Sequence, residues 1–409
     1  MSARQQGQAR WLTILGVGEE GVEGLGDSAR RALRDASWVV GGDRHLRLLS
    51  ELIPGERTPW PHPLGDPVEL IRPRRGQSVV VLASGDPFEY GIGAKLCQGF
   101  PVEEVACIPA ASAFSLACAR LGWARQHVKT LSFCGRPTAA LLRELQPGQR
   151  IVALSGDAST PRTIAQCLER RGFGSSRFWL LEHLGGPRER VREWRAAEFS
   201  DEDVRALNVV AIEVSATGTA QVIPLCCGLP DEWFEHDGQL TKREIRALTL
   251  SALAPCAGEL LWDVGCGSGS IAIEWLLRHE ANRAIAIESD PERARRASRN
   301  AAQLGVPHLI TIESEAPEAF AGLPTPDAIF LGGGAHLGCV MQQAWQALRQ
   351  GGRIVANAVA VETEGALLAA QREWGGSICR LSIERLDSLG RYHAFRPAMT
   401  VTQWRARKS

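Results

Sequence analysis

The sequence has very little lysine: only four Lys stand beside 42 Arg among its 409 residues. Basic and acidic residues nevertheless balance at 46 each, so the chain has no net charge that would attract nucleic acid. No apolar run approaches the roughly 18 residues that a membrane-spanning helix needs, and the N-terminus lacks the apolar core of a signal peptide. We therefore expect a cytoplasmic protein that binds neither nucleic acid nor a membrane.

Metal-binding and disulfide patterns are also missing. The eleven cysteines form no C-x-x-C pair, and no Cys/His spacing typical of zinc ligands occurs. The expectation is a reduced protein with no metal site. The abundant arginine would suit a substrate with several carboxylates, because the guanidinium group binds carboxylates through two parallel hydrogen bonds. A GC-rich coding sequence would explain the same bias.

The length and the alternation of segments predict two α/β domains. We place the first at residues 1–214, a linker at 215–237 and the second at 238–409. In the first domain, a mainly parallel sheet is predicted from strands at Trp11–Leu15, Trp38–Val40, Val79–Leu82, Val102–Cys107, Thr130–Phe133, Ile151–Leu154, Arg177–Leu181 and Val209–Val214. In the second, strands are predicted at 259–264, 283–288, 308–312, 327–331, 352–358, 377–386 and 398–405, with helices at 242–253, 270–279, 291–304, 337–349 and 362–373.

A glycine loop follows the first strand of the second domain. The stretch "LLWDVGCGSGSIAIEW" has Asp263 near the strand end and then the pattern G-x-G-x-G. Such a loop lets a ligand approach the backbone, and its N–H groups favour a polar or anionic partner. Its spacing differs from the dinucleotide pattern G-x-G-x-x-G. The next strand ends at Glu288, which is well placed to accept hydrogen bonds from ribose hydroxyls.

This arrangement resembles the seven-stranded, Rossmann-like methyltransferases that use S-adenosylmethionine. Four further stretches, "TKRE" (241–244), "SEAPEAF" (314–320), "DAIFLGGG" (327–334) and "GGRIVANAV" (351–359), resemble the decarboxylating precorrin methyltransferase domain. The local sequence also predicts that Thr241 forms a capping box with Glu244. The resemblance implies a cofactor pocket lined by Thr241, Gly265, Cys266, Gly267, Ser268, Gly269, Glu288 and Ala316.

The first domain contains a misleading glycine pattern and a more informative one. "GVGEEG" (16–21) matches the dinucleotide pattern, but the next predicted helix begins only near Asp27 and Asp35 lies inside it, which excludes that function. "LASGDPFEYGIG" (82–93), together with "IPAASAFSLACARLGW", "SFCGRP" and "LLEHLGGPRERV", resembles the two-lobed tetrapyrrole methylases. The resemblance implies that S-adenosylmethionine is bound by Gly85, Asp86, Pro87, Ala111 and Ser112.

Together, the two halves resemble fused decarboxylating precorrin methyltransferases. This implies two S-adenosylmethionine sites per chain and a small tetrapyrrole substrate, precorrin-6. The implied reaction is methylation at C-5 and C-15 with decarboxylation of the ring-C acetate, giving precorrin-8X in cobalamin biosynthesis. We also expect a homo-oligomer. An RNA methyltransferase and a non-catalytic cofactor-binding regulator are the alternatives. The first would require a basic, aromatic-bearing face, and the second an additional partner-binding segment.

Methyl transfer requires mainly proximity and orientation, so no nucleophilic side chain is expected. Our candidate for proton handling is His336, which follows "GGGA" after the strand at 327–331, on the sheet edge where ligands bind. A surface-loop histidine is the alternative. Asn357 and Arg391 are further candidates for substrate contact, with core packing or surface placement as the alternative.

Overall fold

The computed structural model describes residues 10–200, 202–332 and 338–409. Its internal contacts divide the chain into two compact units. The first unit runs to Thr138 and includes Gln146–Gln221, and the second comprises Ala139–Leu145 and Val222–Ser409. The division after Gln221 falls inside the predicted linker, 215–237.

The first unit begins with a five-stranded parallel sheet in the order β3-β2-β4-β1-β5. Strands β1, β2 and β4 are almost completely buried, as their Val-, Ile- and Leu-rich sequences require for a sheet covered on both faces. The sequence did not predict β3, whose residues ERTP are polar and form the sheet edge. The strands are β1 (Leu12–Val17), β2 (Trp38–Gly41), β3 (Glu56–Pro59), β4 (Val79–Ser84) and β5 (Val105–Ile108), and the helices are α1 (Asp27–Arg34), α2 (Asp43–Leu48), α3 (Pro67–Ile71), α4 (Gly93–Gly99) and α5 (Ala113–Leu121).

A second five-stranded sheet completes this unit, in the order β6-β7-β10-β8-β9. Only β6 and β7 are parallel, so the prediction of a mainly parallel sheet is wrong for this half of the unit. The central strand β10 runs antiparallel to both β7 and β8, and β9, with the alternating sequence RVREWR, pairs as a hairpin with β8 at the sheet edge. The direction of a strand depends on its distant pairing partners, which no local pattern reveals. The elements are β6 (Val128–Ser132), β7 (Arg150–Leu154), α6 (Thr160–Arg170), β8 (Arg177–Glu182), β9 (Arg190–Arg195) and β10 (Asn208–Glu213).

The second unit is built on a seven-stranded sheet, which confirms the predicted fold. Its order is β13-β12-β11-β14-β15-β19-β16, and β19 runs antiparallel to both of its neighbours, β15 and β16, while the other pairs are parallel. The elements are α7 (Arg243–Leu253), β11 (Leu260–Val264), α8 (Ser270–Arg278), β12 (Arg283–Glu288), α9 (Pro291–Gln303), β13 (Ile310–Glu313), β14 (Ala328–Leu331), α10 (Gly338–Ala347), β15 (Arg353–Ala358), α11 (Val361–Trp374), β16 (Ser377–Leu381), β17 (Glu384–Leu389), β18 (Tyr392–Pro397) and β19 (Val401–Arg407).

The single strand predicted at 377–386 is in fact two strands. Strand β16 ends at Leu381 and joins the main sheet, whereas β17 pairs with β18 in a separate hairpin. Every residue of that hairpin is exposed. Because no face of β18 is buried, its sequence has no alternation from which the strand could have been predicted.

Two compositional predictions can be compared with the described residues. None of their helices is long and apolar enough to cross a lipid bilayer. No group of three or more His, Cys, Asp or Glu side chains within these residues could hold a metal ion.

Candidate active sites

The glycine loop of the second unit adopts a backbone that only glycine accepts readily. Gly265, Gly267 and Gly269 have φ angles of +68°, +56° and +76°, in the left-handed region that strains residues with a Cβ. A Cβ built on Gly267 would have only the carbonyl oxygen of Gln239 near it, at 3.9 Å. The loop therefore faces open space at Gly267, as a ligand cradle requires.

Glu288 fixes this loop from the next strand. Its Oε2 accepts a hydrogen bond from the Gly267 N–H at 2.8 Å, and its Oε1 accepts one from the Asp290 N–H at 3.1 Å. A carboxylate has about four acceptor positions, so each oxygen keeps one for a ligand hydroxyl. The predicted ribose contact is compatible with this geometry, and the bond to the glycine loop is a feature that the sequence did not reveal.

Asp263 is a buried acid directly before the loop. It is 1% exposed; its Oδ2 accepts from the Ala272 N–H at 3.0 Å, and its Oδ1 has no partner among the described residues. Burial, together with the nearby charge of Glu288, raises the pKa of Asp263 to about 7. An unpartnered buried oxygen at the base of the loop is a further sign of a binding site.

One cavity of about 930 Å³ brings these groups together. Its volume lies near the upper end of small-molecule sites, which reach about 1,000 Å³. Among its lining residues are seven of the eight predicted cofactor residues: Thr241, Gly265, Cys266, Gly267, Ser268, Glu288 and Ala316. The eighth, Gly269, does not line the cavity. It precedes α8, where a Cβ would lie 2.9 Å from the Cβ of Ala297, so close helix packing accounts for this glycine.

The predicted capping box at Thr241 is wrong. The N-cap of α7 is Lys242, and no side chain caps the helix. Thr241 lies one residue too early, and its carbonyl instead accepts a hydrogen bond from Arg246. Glu244 pairs with Arg385 of β17 rather than with the helix terminus.

Arg246 and Glu274 form a completely buried ion pair that holds residues 228–241, here called the strap. Both are 0% exposed, and their side chains meet at 2.6 Å. Glu274 also accepts from the N–H groups of Gly228 and Leu229, at 2.7 and 2.9 Å, while Arg246 donates to the carbonyls of Leu229 and Thr241. In the middle of the strap, Asn300 bonds the backbone of Glu235 and also the carbonyl of Ser268 in the glycine loop. The strap thus positions Thr241 beside the glycine loop.

We expect Glu274→Gln to destabilise the second unit strongly. The change removes the negative partner of a buried guanidinium, and breaking a buried pair in this way typically costs about 3–5 kcal/mol. The matched control is Glu292→Gln, which removes exposed pairs with Arg295 and Arg299; each such pair should contribute at most about 1 kcal/mol. Urea unfolding followed by tryptophan fluorescence measures the free energy of unfolding of both variants. Equal losses would show that the buried pair stabilises the unit no more than the exposed pairs do.

A polar network that the sequence did not reveal borders the same cavity. Asn357, a cavity residue on β15, donates to Thr249 Oγ1 at 2.9 Å and accepts from Gln403 Nε2 at 2.9 Å. Arg385 from the exposed hairpin also lines the cavity, whereas Arg391 lies in the hairpin turn over the ring of Tyr392 and does not. His336, the candidate for proton handling, lies outside the described residues.

The first unit has its own cavity, of about 420 Å³. Four of the five predicted cofactor residues line it: Gly85, Asp86, Ala111 and Ser112. Pro87 is not among the lining residues; its carbonyl accepts from the Gly93 N–H at 2.9 Å and shapes the turn before α4. Gly85 has a φ of +54°, and a Cβ there would lie 2.9 Å from Ser112 Cα and 3.0 Å from the Ala111 carbonyl oxygen. This glycine allows two chain segments to meet at the cavity wall.

Comparisons with known proteins assign a family to each half of the chain. Residues 12–200 match the family model of tetrapyrrole (corrin/porphyrin) methylases, and residues 232–408 match that of the precorrin methyltransferase domain. Over 394 residues, the chain is 52% identical to a precorrin-6Y C(5,15)-methyltransferase [decarboxylating] from Sinorhizobium sp, covering 96% of this chain and 95% of the relative. The chain belongs to the precorrin-6Y C(5,15)-methyltransferase family. It is therefore a member of a family of S-adenosylmethionine-dependent methyltransferases.

Shorter relatives of this precorrin-6Y methyltransferase family each match part of the chain. A probable cobalt-precorrin-6B C(15)-methyltransferase (decarboxylating) from Pyrobaculum calidifontis is 35% identical, over 43% of this chain and 95% of its own length. A cobalt-precorrin-7 C(5)-methyltransferase from Salmonella typhimurium is 34% identical, over 49% of this chain and 98% of its own length. Relatives named for the C(15) and the C(5) activity thus each match less than half of this chain.

Proposed function

We propose that the chain methylates precorrin-6 at C-5 and C-15 and removes CO2 from the ring-C acetate, giving precorrin-8X for cobalamin biosynthesis. The observation that carries this proposal is the presence of two separate cavities, each beside a left-handed glycine turn. A near full-length relative whose name includes both ring positions supports it.

We propose one S-adenosylmethionine site in each unit. In the second unit, Gly267 leaves space for the ligand, Glu288 keeps acceptor positions for hydroxyls, and Thr241 and Ala316 border the cavity. In the first unit, the turn at Gly85 and Asp86 and the start of α5 at Ser112 form the wall. When bound, the cofactor supplies an electrophilic methyl group. The protein aligns that group with a ring carbon, and proximity is the main source of rate.

For decarboxylation, the chain must hold the acetate out of the ring plane and exclude water. The conjugated ring takes up the electron pair that the departing CO2 leaves. The second cavity is large enough to admit part of a macrocycle beside the cofactor, and Arg385 at its border provides a cation for substrate carboxylates. We therefore assign C-15 methylation and decarboxylation to the second unit and C-5 methylation to the first.

The test is mass spectrometry of the product formed from precorrin-6 and methyl-labelled S-adenosylmethionine. We expect two labelled methyl groups and the loss of one CO2. A product with labelled methyls but an intact ring-C acetate would contradict the proposed decarboxylation, and an unlabelled product would contradict both methylations. The same experiment with RNA as the acceptor should give no transfer.

We expect His336→Ala to slow decarboxylation more than it weakens cofactor binding. In the sequence the residue comes five positions after the end of β14, ligands bind at the carboxyl ends of such strands, and a proton donor is needed once CO2 has left the ring side chain. Release of labelled CO2 measures the first effect and calorimetry the second. Unchanged turnover would contradict the proposed role and favour the alternative that His336 is a surface-loop residue.

Three further expectations about partners and location remain predictions: a homo-oligomer, a cytoplasmic location and no binding of nucleic acid. Light scattering of the purified chain measures the first. Cell fractionation and a gel-shift assay with unspecific RNA check the other two.

A further inference from the structure

We infer that His183, oriented by Glu19, accepts the ring proton that is released when the first unit methylates its substrate. The inference rests on the proposed function of that unit. Both side chains line the first cavity, and no role has been assigned to either above.

The backbone of His183 is strained and firmly held. The residue follows β8 and has a φ of +47°, a left-handed conformation that is unfavourable for a residue with a Cβ. The preceding Glu182 is fully buried and bonded to Arg190 and to the Arg205 N–H. Strain of this kind persists only where the surroundings fix it, and it is concentrated at functional sites.

Glu19 sets the proton position on the imidazole ring. Its Oε2 lies 2.9 Å from His183 Nδ1, and both side chains are only 10% exposed. A carboxylate accepts and does not donate, so Nδ1 carries the hydrogen and Nε2 presents the lone pair. Arg44 donates to the other carboxylate oxygen at 2.6 Å and keeps Glu19 in place.

The loop after His183 packs closely against Glu19 and its neighbour Glu20. A Cβ on Gly186 would lie 2.6 Å from Glu19 Cβ and 3.3 Å from the Glu19 carbonyl oxygen, and one on Gly185 would lie 2.7 Å from Glu20 Oε1. A side chain at Gly186 would therefore push the loop away from Glu19. The close approach of His183 to Glu19 depends on this glycine.

A second histidine of the cavity lacks these properties. His45 Nε2 already receives a hydrogen bond from Arg44 at 2.8 Å, and burial is the main cause that lowers its pKa to about 4. His45 is therefore neutral near pH 7 and poorly suited to hold a proton. Arg188 lies 3.9 Å from Glu19. The other charged and titratable groups that line this cavity are Glu19, Arg44, His45, Asp86, Glu89 and Tyr90.

Methyl transfer to the ring releases one proton, which His183 accepts. A ring carbon of enamine character forms the new C–CH3 bond with its π electron pair, and the S–CH3 bond breaks with its pair passing to the sulfonium sulfur. The conjugated ring nitrogen is left positive. Its N–H bond then breaks, the proton moves to His183 Nε2, and the N–H electron pair neutralises the ring. Glu19 stabilises the imidazolium until water takes the proton.

The test is His183→Gly in the full chain, with and without added imidazole. Glycine accepts a φ of +47° and leaves a space for free imidazole. We expect the first-unit methylation to fall by about 100-fold or more, the lower range for loss of a general base. The product should accumulate with one labelled methyl and one CO2 lost. Added imidazole should restore the second methyl, at a rate that rises with the basicity of substituted imidazoles.

Three measurements make the outcomes separable. His127→Gly, which changes an exposed histidine outside the cavity, should leave both methylations intact. Calorimetry should show unchanged cofactor binding to His183→Gly, and His183→Asn serves if the glycine variant fails to fold. Full activity of these variants, or a loss that no imidazole rescues, would overturn the inference. An unmodified chain that adds only one methyl would instead overturn the proposed function of the first unit.

Discussion

The Gly267→Val chain is expected to bind one molecule of S-adenosylmethionine where the unmodified chain binds two. Gly267 has a φ of +56° and faces open space, so a β-branched side chain there is both strained and directed into the cavity. Its N–H also bonds Glu288, and displacement of the loop would break that bond. Titration calorimetry gives the stoichiometry directly, and affinity at the remaining site should be unchanged.

A control variant, Gly322→Val, separates the effect of backbone strain from the loss of the binding cavity. Gly322 has a φ of +77° with nothing within 4 Å of a built Cβ, so Gly322→Val imposes a similar backbone cost away from the cavity. This variant should bind two molecules. A single site in the unmodified chain would refute the proposal of two sites.

Gly85→Val is the corresponding variant of the first unit. A built Cβ already lies within 3.0 Å of the backbone at Ala111 and Ser112, so valine must separate the two segments that form the cavity wall. The matched control is Gly122→Val. Gly122 caps the C-terminus of α5 in a left-handed backbone conformation and has open space around it. Binding should be lost at the first site only.

The largest expected effect on the reaction is its complete division between the two units. The second unit alone should add one methyl and release one CO2, and the first should then add one methyl with no further CO2 loss. Each unit has its own cavity and its own sheets, as independent folding requires. Offering the unmodified ring to each unit separately tests the order of the two methylations.

The structure changes where the second piece should begin. We placed its start at residue 238, but Gly228 and Leu229 bond Glu274, so the piece needs the strap and should begin at residue 222. The first piece should end at residue 221, because the N–H groups of Thr217 and Gln221 bond the carbonyls of Gly172 and Arg171. Piece 1–221 and piece 222–409 are each supplied with substrate and labelled cofactor, and the products are weighed. CO2 loss with the first piece, or two methyls from the second, would contradict the assignment.

The full chain offers a second measurement that does not depend on the pieces folding. Gly85→Val should accumulate a product with one methyl and one CO2 lost, and Gly267→Val should release no CO2. If both variants instead release CO2 at the normal rate, decarboxylation does not require the second cofactor site.

Sequence patterns predicted the elements that carry a local signal, such as a buried apolar run. They missed the elements whose formation depends on tertiary contacts. Strand β11 and its glycine loop were predictable because a buried apolar run and three glycines are local signals. Strands β3 and β18 were not, since a polar edge strand and an exposed hairpin carry no apolar alternation. The antiparallel second sheet was missed because strand direction depends on pairing across many residues.

The site shows the same division. Thr241, Glu288 and Ala316 came from a resemblance in motif, and the structure places them around one cavity. The partners of Glu274 lie 28 and 46 residues away along the chain, and no spacing rule connects them. The contact of His183 with Glu19 spans 164 residues. Only the folded chain brings such pairs together.

The bond from the Gly267 N–H to Glu288 means that the second site is assembled during folding and not during binding. The loop's conformational entropy is lost before any ligand arrives, so association need not bear that cost again. Fragments that carry only the adenosine part should therefore retain a large share of the affinity per atom. Removing the carboxylate, as in Glu288→Ala, should convert a rigid receptor into one that must order itself, with slower association and a more unfavourable binding entropy.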